Sequence, residues 1–279
     1  MPELPEIEVL RRDLEKEVVG RRIKDVEVRP GTNAMKIIRR HGRRKEFQDL
    51  LVGAKVDRIG RSGRRIVFHL DSDHALVVDL GDAGHLFKTS ASDPVATNTH
   101  IIIAFTIGGQ MRIIDPNRSG EVYVTPSADL EAENDSSAID PLEQQVTWHH
   151  FSALLQEQGQ PMKDLLMDEK FICGLGDIYS DEILFAAGIK FDRQSDKLSS
   201  QDVRRIYRAL IEVLQEAVKA RGTTWGRKNF RDLHGAPGGW QLELKVYERD
   251  GEACRRCRNE IVKEEFKDGF TYFCPQCQS

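Results

Sequence analysis

The chain opens Met1-Pro2-Glu3-Leu4-Pro5-Glu6. A small second residue lets an aminopeptidase remove Met1, which would make Pro2 the terminus. A free α-amine has an ordinary pKa of about 8, well below that of a lysine ammonium, so part of it is unprotonated and nucleophilic near neutrality. Attack by this secondary amine on a carbon such as a sugar C1′ gives an iminium, an electron sink for bond breaking on the carbons beside it. Glu3 is positioned to carry the protons. On these residues alone, a frayed chain start accounts for the pair equally well.

A second chemical pattern lies at the other end. Cys254-Arg-Arg-Cys257 and Cys274-Pro-Gln-Cys277 flank residues 258–273, and two Cys-x-x-Cys turns at this separation let four thiolates converge on one tetrahedral zinc. The intervening residues are enough for a β-hairpin. Disulfides are the alternative; zinc is favoured because nothing else in the chain reads as secreted, and the fifth cysteine, Cys173, lies in an apolar run that reads as helix core.

These chemistries need elements to hold them. Residues 5–19 read as an amphipathic helix, with Ile7, Leu10, Leu14 and Val18 at helical spacing and Pro5 in the first turn. Short β-branched or alternating runs follow at 23–28, 65–70, 75–80, 100–107, 111–114 and 121–124, as in a sandwich. Pro126, Asn134 to Ser137 and Pro141 mark a linker, after which 148–158, 161–168, 178–187 and 199–221 carry a helical period. The expected fold is therefore α+β: an N-terminal helix and β-sandwich over 1–125, a linker at 126–146, a helical domain at 147–242 and a zinc-binding hairpin at 243–279.

The chain has 279 residues and a net charge of −4, a mild argument against nucleic-acid binding. The basic residues are clustered, however: 36–65 carries eleven cations, from Lys36 to Arg65, against Glu46, Asp49 and Asp57. By itself such a run reads as a solvated face. No long apolar stretch or signal peptide is evident, so a soluble cytoplasmic protein is expected.

Both ends, together with Asp-Pro-Asn-Arg-Ser-Gly (115–120), Gly-Leu-Gly-Asp-Ile-Tyr-Ser-Asp-Glu (174–182) and Glu-Leu-Lys-Val-Tyr (243–247), resemble the formamidopyrimidine-DNA glycosylase and endonuclease VIII family of base-excision repair. Leu4 favours the purine-directed branch, since endonuclease VIII usually carries Gly there. The resemblance implies a DNA glycosylase and abasic-site lyase with Pro2 as nucleophile and Glu3 as proton carrier, a helix-two-turns-helix domain, and a zinc finger on Cys254, Cys257, Cys274 and Cys277. Glu6 would orient the first helix. Damaged DNA is the implied partner of a monomeric bacterial protein working at the nucleoid. In this context the basic run faces DNA, and Gly174 and Gly176 present amides to a phosphate at a helix start. Arg64, Arg118, Asp177 and Lys267 are the remaining candidate DNA contacts.

Several candidates depart from the family pattern. Asp177 replaces an Asn that donates to phosphate, which an ionised carboxylate cannot do. Gly269 replaces an Arg of the zinc hairpin, leaving Lys267 as the nearest cation, and Arg64 replaces a Lys. The Met and Phe that fill the space of a flipped nucleotide are Asp82 and Ser119 here, with only the intervening Arg118 kept. The loop 235–240 lies where relatives close over an oxidised purine; its glycines suggest mobility, and Trp240 could be core. The expected outcome is an enzyme with altered lesion preference, the alternative being a zinc-containing DNA-binding paralogue with little or no activity.

Overall fold

The structure, a computed structural model, describes residues 1–30, 34–133, 138–143, 146–226 and 229–279. The chain forms two compact units, Met1–Asp135 with Arg221–Gly239, and Ser136–Ala220 with Trp240–Ser279. The helical period alone would have assigned 221–239 to the second unit.

In the first unit α1 (Leu4–Val18) leads into β1 (Ile23–Val28), α2 (Arg44–Leu51), β2 (Val56–Ser62), β3 (Arg65–Leu70), β4 (His74–Asp79), β5 (His85–Thr89), β6 (Thr99–Phe105), β7 (Gln110–Ile114) and β8 (Glu121–Pro126). The strands make two antiparallel four-stranded sheets, ordered β1-β6-β7-β5 and β2-β3-β4-β8. Strands β2 and β5 and helix α2 were not expected. In β2 the alternation is hidden because Arg61 points inward and is buried, its guanidinium donating to the buried Glu8 carboxylate of α1 at 3.2 Å. Burial works against the charge on Glu8, but hydrogen bonds from Arg11 and Arg12 and the charges of Arg11 and Arg61 hold its pKa below the ordinary value. The helix is thereby fixed to the sheet by charge as well as by Leu4, Ile7, Leu10 and Leu14.

Part of the expected linker is ordered as α3 (Ser127–Glu133), because Leu130 joins the core cluster of Val67, Ala75, Val77 and Tyr123. Its residues 134–137 and 144–145 lie outside the described residues.

The second unit packs α4 (Trp148–Gln156), α5 (Met162–Leu166), α6 (Asp177–Ala187) and α7 (Ser200–Lys219) with the hairpin β9 (Val262–Phe266) and β10 (Gly269–Phe273). Cys173 lies in the turn before α6, not in a helix; its thiol donates to Asp140 at 3.4 Å. A buried ion pair ties the helices to the hairpin. Lys163 Nζ lies 2.6 Å from Asp181 Oδ1, both side chains being essentially inaccessible; Asp181 also accepts from the Thr271 hydroxyl and the Tyr272 amide. Burial pushes the Asp181 carboxyl up to about 6 against these attractions.

Lys163→Met strands that carboxylate, and the expected loss is about 3–5 kcal/mol of stability by denaturant unfolding. Adding Asp181→Leu should recover much of it. Equal stability of wild type and single mutant would show that the pair does not bear on folding.

Candidate active site and nucleic-acid interface

The N-terminal residues are clamped. Pro2 is half-buried and Glu3 buried, and Glu3 caps α1 in a reciprocal capping box with Glu6. Glu6 is shut off from water and uses both oxygens: Oε2 accepts from the Glu3 amide at 2.9 Å and Oε1 from the Thr223 amide at 2.8 Å. The approach requires glycine at 222, with φ +77° and a position where a Cβ would lie 2.9 Å from Glu6 Oε1. Gly238 then packs on this turn; its amide donates to Thr224 Oγ1, and a Cβ there would lie 2.2 Å from the Gly222 carbonyl oxygen.

The same segment is anchored by Arg221, which grips Asp13 of α1 (3.2 and 2.5 Å) and Asp232 (3.0 and 2.6 Å). Burial works to raise Asp232, but Arg221 and the amides of Ala236 and His234 outweigh it and hold the carboxyl below its ordinary value. Sequence reasoning missed this clamp entirely. Asp13 is 208 residues from Arg221 in the chain, and nothing local marks the pair.

One end of the β2-β3-β4-β8 sheet gathers the other candidates of this unit. Arg64 follows Gly63 (φ +55°) in the two-residue turn between the paired Ser62 and Arg65, and Arg65, Asp79 and Glu121 stand side by side across β3, β4 and β8. The loop 115–120 is folded around Asp115, whose carboxylate accepts from the amides of Asn117, Arg118 and Gly120. Arg118 has φ +55°. The Asp82 amide donates to Ser119 Oγ at 2.8 Å. Arg118, Ser119 and Asp82 are thus brought together, with short polar groups where the family pattern places bulky ones.

In the second unit Gly174 has φ +79°, and its amide donates to Glu169 Oε2 at 2.9 Å. An internal carboxylate stands where an external phosphate was expected. Gly176 is the N-cap of α6, and Asp177, its first residue, accepts from the Tyr247 hydroxyl at 2.8 Å. Tyr247 is held by the buried Glu182, which collects the amides of Lys245, Val246 and Tyr247. Trp240 is core, 3% exposed and 5.1 Å from the Tyr179 ring. Lys267 sits in the β9–β10 turn with φ +49° and pairs with Asp164 at 2.8 Å, an exposed ion pair of little energetic weight.

The four cysteine sulfurs lie within 4.8 Å of one another, with Cys254–Cys277 at 3.9 Å and Cys257–Cys274 at 3.4 Å. A tetrahedron of thiolates about 2.3 Å from zinc has edges of about 3.8 Å, so the donor set fits the ion. Nearby, Gln278 links the Cys274 amide to the Ile189 carbonyl, and Arg256 lies 4.4 Å from the Phe185 ring, docking the module onto the end of α6.

Comparison with known proteins agrees along the whole chain. Residues 1–122 match the formamidopyrimidine-DNA glycosylase N-terminal domain, 138–228 its H2TH domain, and 251–279 the zinc finger found in FPG and IleRS. Formamidopyrimidine-DNA glycosylases of Pelotomaculum thermopropionicum and Heliobacterium modesticaldum are 34% and 35% identical, over all of this chain and 99% and 100% of theirs. The MutM (Fpg) protein of Thermus thermophilus is 31% identical with a TM-score of 0.86, covering 99% of this chain and 98% of its own. Lactococcus lactis Fpg, solved in complex with DNA containing an abasic site, is 27% identical with a TM-score of 0.88 over 99% of both chains. An N-terminal domain, an H2TH domain and a four-cysteine zinc finger, matched in order along the chain, make this chain a DNA glycosylase of the formamidopyrimidine-DNA glycosylase family.

Proposed function

We propose that Pro2, freed by removal of Met1, attacks C1′ of a damaged deoxynucleotide while Glu3 manages the protons. The observation that carries this reading is the Glu6 clamp, which fixes the Glu3 amide against Thr223 and so holds the first residues in one place instead of letting them fray. The amine forms a bond to C1′ as the base departs with its bonding pair and a proton. Glu3 protonates O4′ as the ring opens, giving the iminium. Loss of a C2′ proton into this sink expels the 3′ phosphate, a second elimination expels the 5′ phosphate, and water releases Pro2. The protein acts as a monomer on damaged DNA, in the cytoplasm at the nucleoid.

DNA grip is assigned to Arg64, Arg118, the Gly176–Asp177 start of α6 and Lys267, with an altered lesion preference because Asp82 and Ser119 cannot fill a vacated stack. The same two side chains, with Glu169 on the Gly174 amide, favour the competing reading of a DNA-binding relative without efficient catalysis. Borohydride reduction on abasic DNA separates them. An enzyme is captured as a stable crosslink, and absence of any crosslink with Met1-processed protein supports the non-catalytic reading.

Restoring family contacts should strengthen duplex binding. A side chain at Gly269 has open space, its nearest Cβ neighbour being the Phe266 carbonyl oxygen at 3.9 Å, so Gly269→Arg adds a cation without a clash. It should steepen the log–log salt dependence by about one. Asp177→Asn can keep accepting from Tyr247 and removes a negative charge; it should raise affinity with a smaller change of slope. Titrations over a salt series read both. No change in either variant would mean that these positions do not face DNA.

A further inference from the structure

One strongly charged surface is not absorbed by the proposed site. Six cations, Lys36, Arg39, Arg40, Arg43, Arg44 and Lys45, occur within ten residues without an acidic residue among them, in a chain whose net charge is −4. Two of them are tied down. Arg39 and Arg40 reach Glu121 of β8 at 2.7 and 3.5 Å, and the Arg40 guanidinium lies over the Tyr123 ring at 3.5 Å. Tyr123 in turn accepts from Arg65 at 3.2 Å. Through Arg65, beside the Arg64 turn, this chain of contacts runs from the sheet end that carries the candidate DNA contacts to the outer edge of β8.

The other four differ. Lys36, Arg43 and Lys45 are exposed and Arg44 half-buried, and none of the four has a side-chain hydrogen bond or ion pair among the described residues. Three of them crowd the start of α2. Arg43 is the N-cap without a side-chain cap bond, and Arg44 and Lys45 begin the first turn. Cations at this end oppose the helix dipole, and Glu46 is the acidic residue of that first turn, its carboxylate turned back to the Gly42 amide at 3.2 Å. The patch is a run of cations continuous with the sheet end assigned to DNA, which suits a chain of phosphates better than an acidic protein.

We propose that Arg43, Arg44, Lys45 and Lys36 extend the DNA-binding surface along the β8 edge, as phosphate contacts to duplex flanking the lesion. The inference rests on the assignment of the Arg64–Arg118 sheet end to DNA. Flanking contacts add affinity and search range without entering the chemistry, so their removal is felt only when flanking DNA is there to be held.

The test compares Arg43→Gln/Arg44→Gln/Lys45→Gln with wild type on abasic-site duplexes of about one and a half turns and about four turns, over a salt series. On the long duplex the slope should fall by about 2 to 3, and affinity at about 0.1 M salt by about a hundredfold. Binding and borohydride trapping on the short duplex should not change. Arg43→Lys/Arg44→Lys should keep the long-duplex slope, and an unaltered unfolding midpoint excludes misfolding. An unchanged slope on the long duplex would overturn the proposal in favour of a solvated face; equal losses on both lengths would place the patch within the lesion site instead. The slopes need no turnover, so an absence of trapping by wild type would count against the catalytic reading and leave this one standing.

Discussion

Glu3→Gln should suppress base excision by about 10²- to 10⁴-fold, the range that positioned proton transfer supplies, while cleavage of a ready-made abasic site suffers much less. The difference arises because an abasic sugar has no base to expel and reaches the open aldehyde form without help. Fold damage should be small: glutamine is isosteric, and the Glu6 side of the capping box bonds the residue 3 backbone amide, which the substitution keeps. Pro2→Gly should slow both reactions, on the order of 10²-fold. Glycine still permits Met1 removal and still offers an amine, but its imine must be protonated to become an electron sink, and it lacks the ring that fixes the direction of attack. Single-turnover rates on lesion-containing and abasic duplexes check both variants. Equal losses on the two substrates for Glu3→Gln would remove Glu3 from base departure.

Chelation of zinc should have the largest structural effect. The segment 251–279 has few apolar residues of its own, and its buried centre is made of Cys254, Cys274, Ile261, Tyr272 and Phe273. Structural zinc in modules of this kind contributes about 10–16 kcal/mol of apparent binding energy, which is also folding energy. Once the ion is gone, four thiols crowded within 4.8 Å have no common partner. Unfolding of the hairpin also removes Thr271 and Tyr272 from Asp181, leaving Lys163 as its remaining partner in the core of the second unit. The expected readout is one zinc per chain, loss of protease resistance in the C-terminal segment after chelation, and weakened DNA binding that zinc restores. Metal content near zero, with the four cysteines oxidised to disulfides, would contradict the assignment.

The elements most legible in the sequence are those whose stabilisation is local. The period of Val203, Ile206, Leu210, Leu214 and Val218 reports α7 because one face is buried, and the cysteine spacing reports the zinc site because short turns converge the thiolates. Strand β2 was hidden by Arg61, a buried charge that meets Glu8 of α1. The return of Arg221–Gly239 to the first unit was equally invisible, since it depends on Arg221 meeting Asp13 across 208 residues of chain. At the site, Pro2 and Glu3 are proposed for the bond chemistry from their types and position. The surroundings that orient or occupy the candidate residues were not apparent: Thr223 against Glu6, Glu169 on the Gly174 amide, and Tyr247 on Asp177 are tertiary contacts with no sequence signal.

The central claim is that the terminal amine of Pro2 is the nucleophile, and the most direct measurement is mass spectrometry of the borohydride-reduced protein–DNA conjugate after proteolysis. The account predicts a single modified peptide that begins at Pro2, lacks Met1 and carries the sugar remnant on the proline nitrogen. A remnant on a lysine, or on a retained Met1, would contradict it.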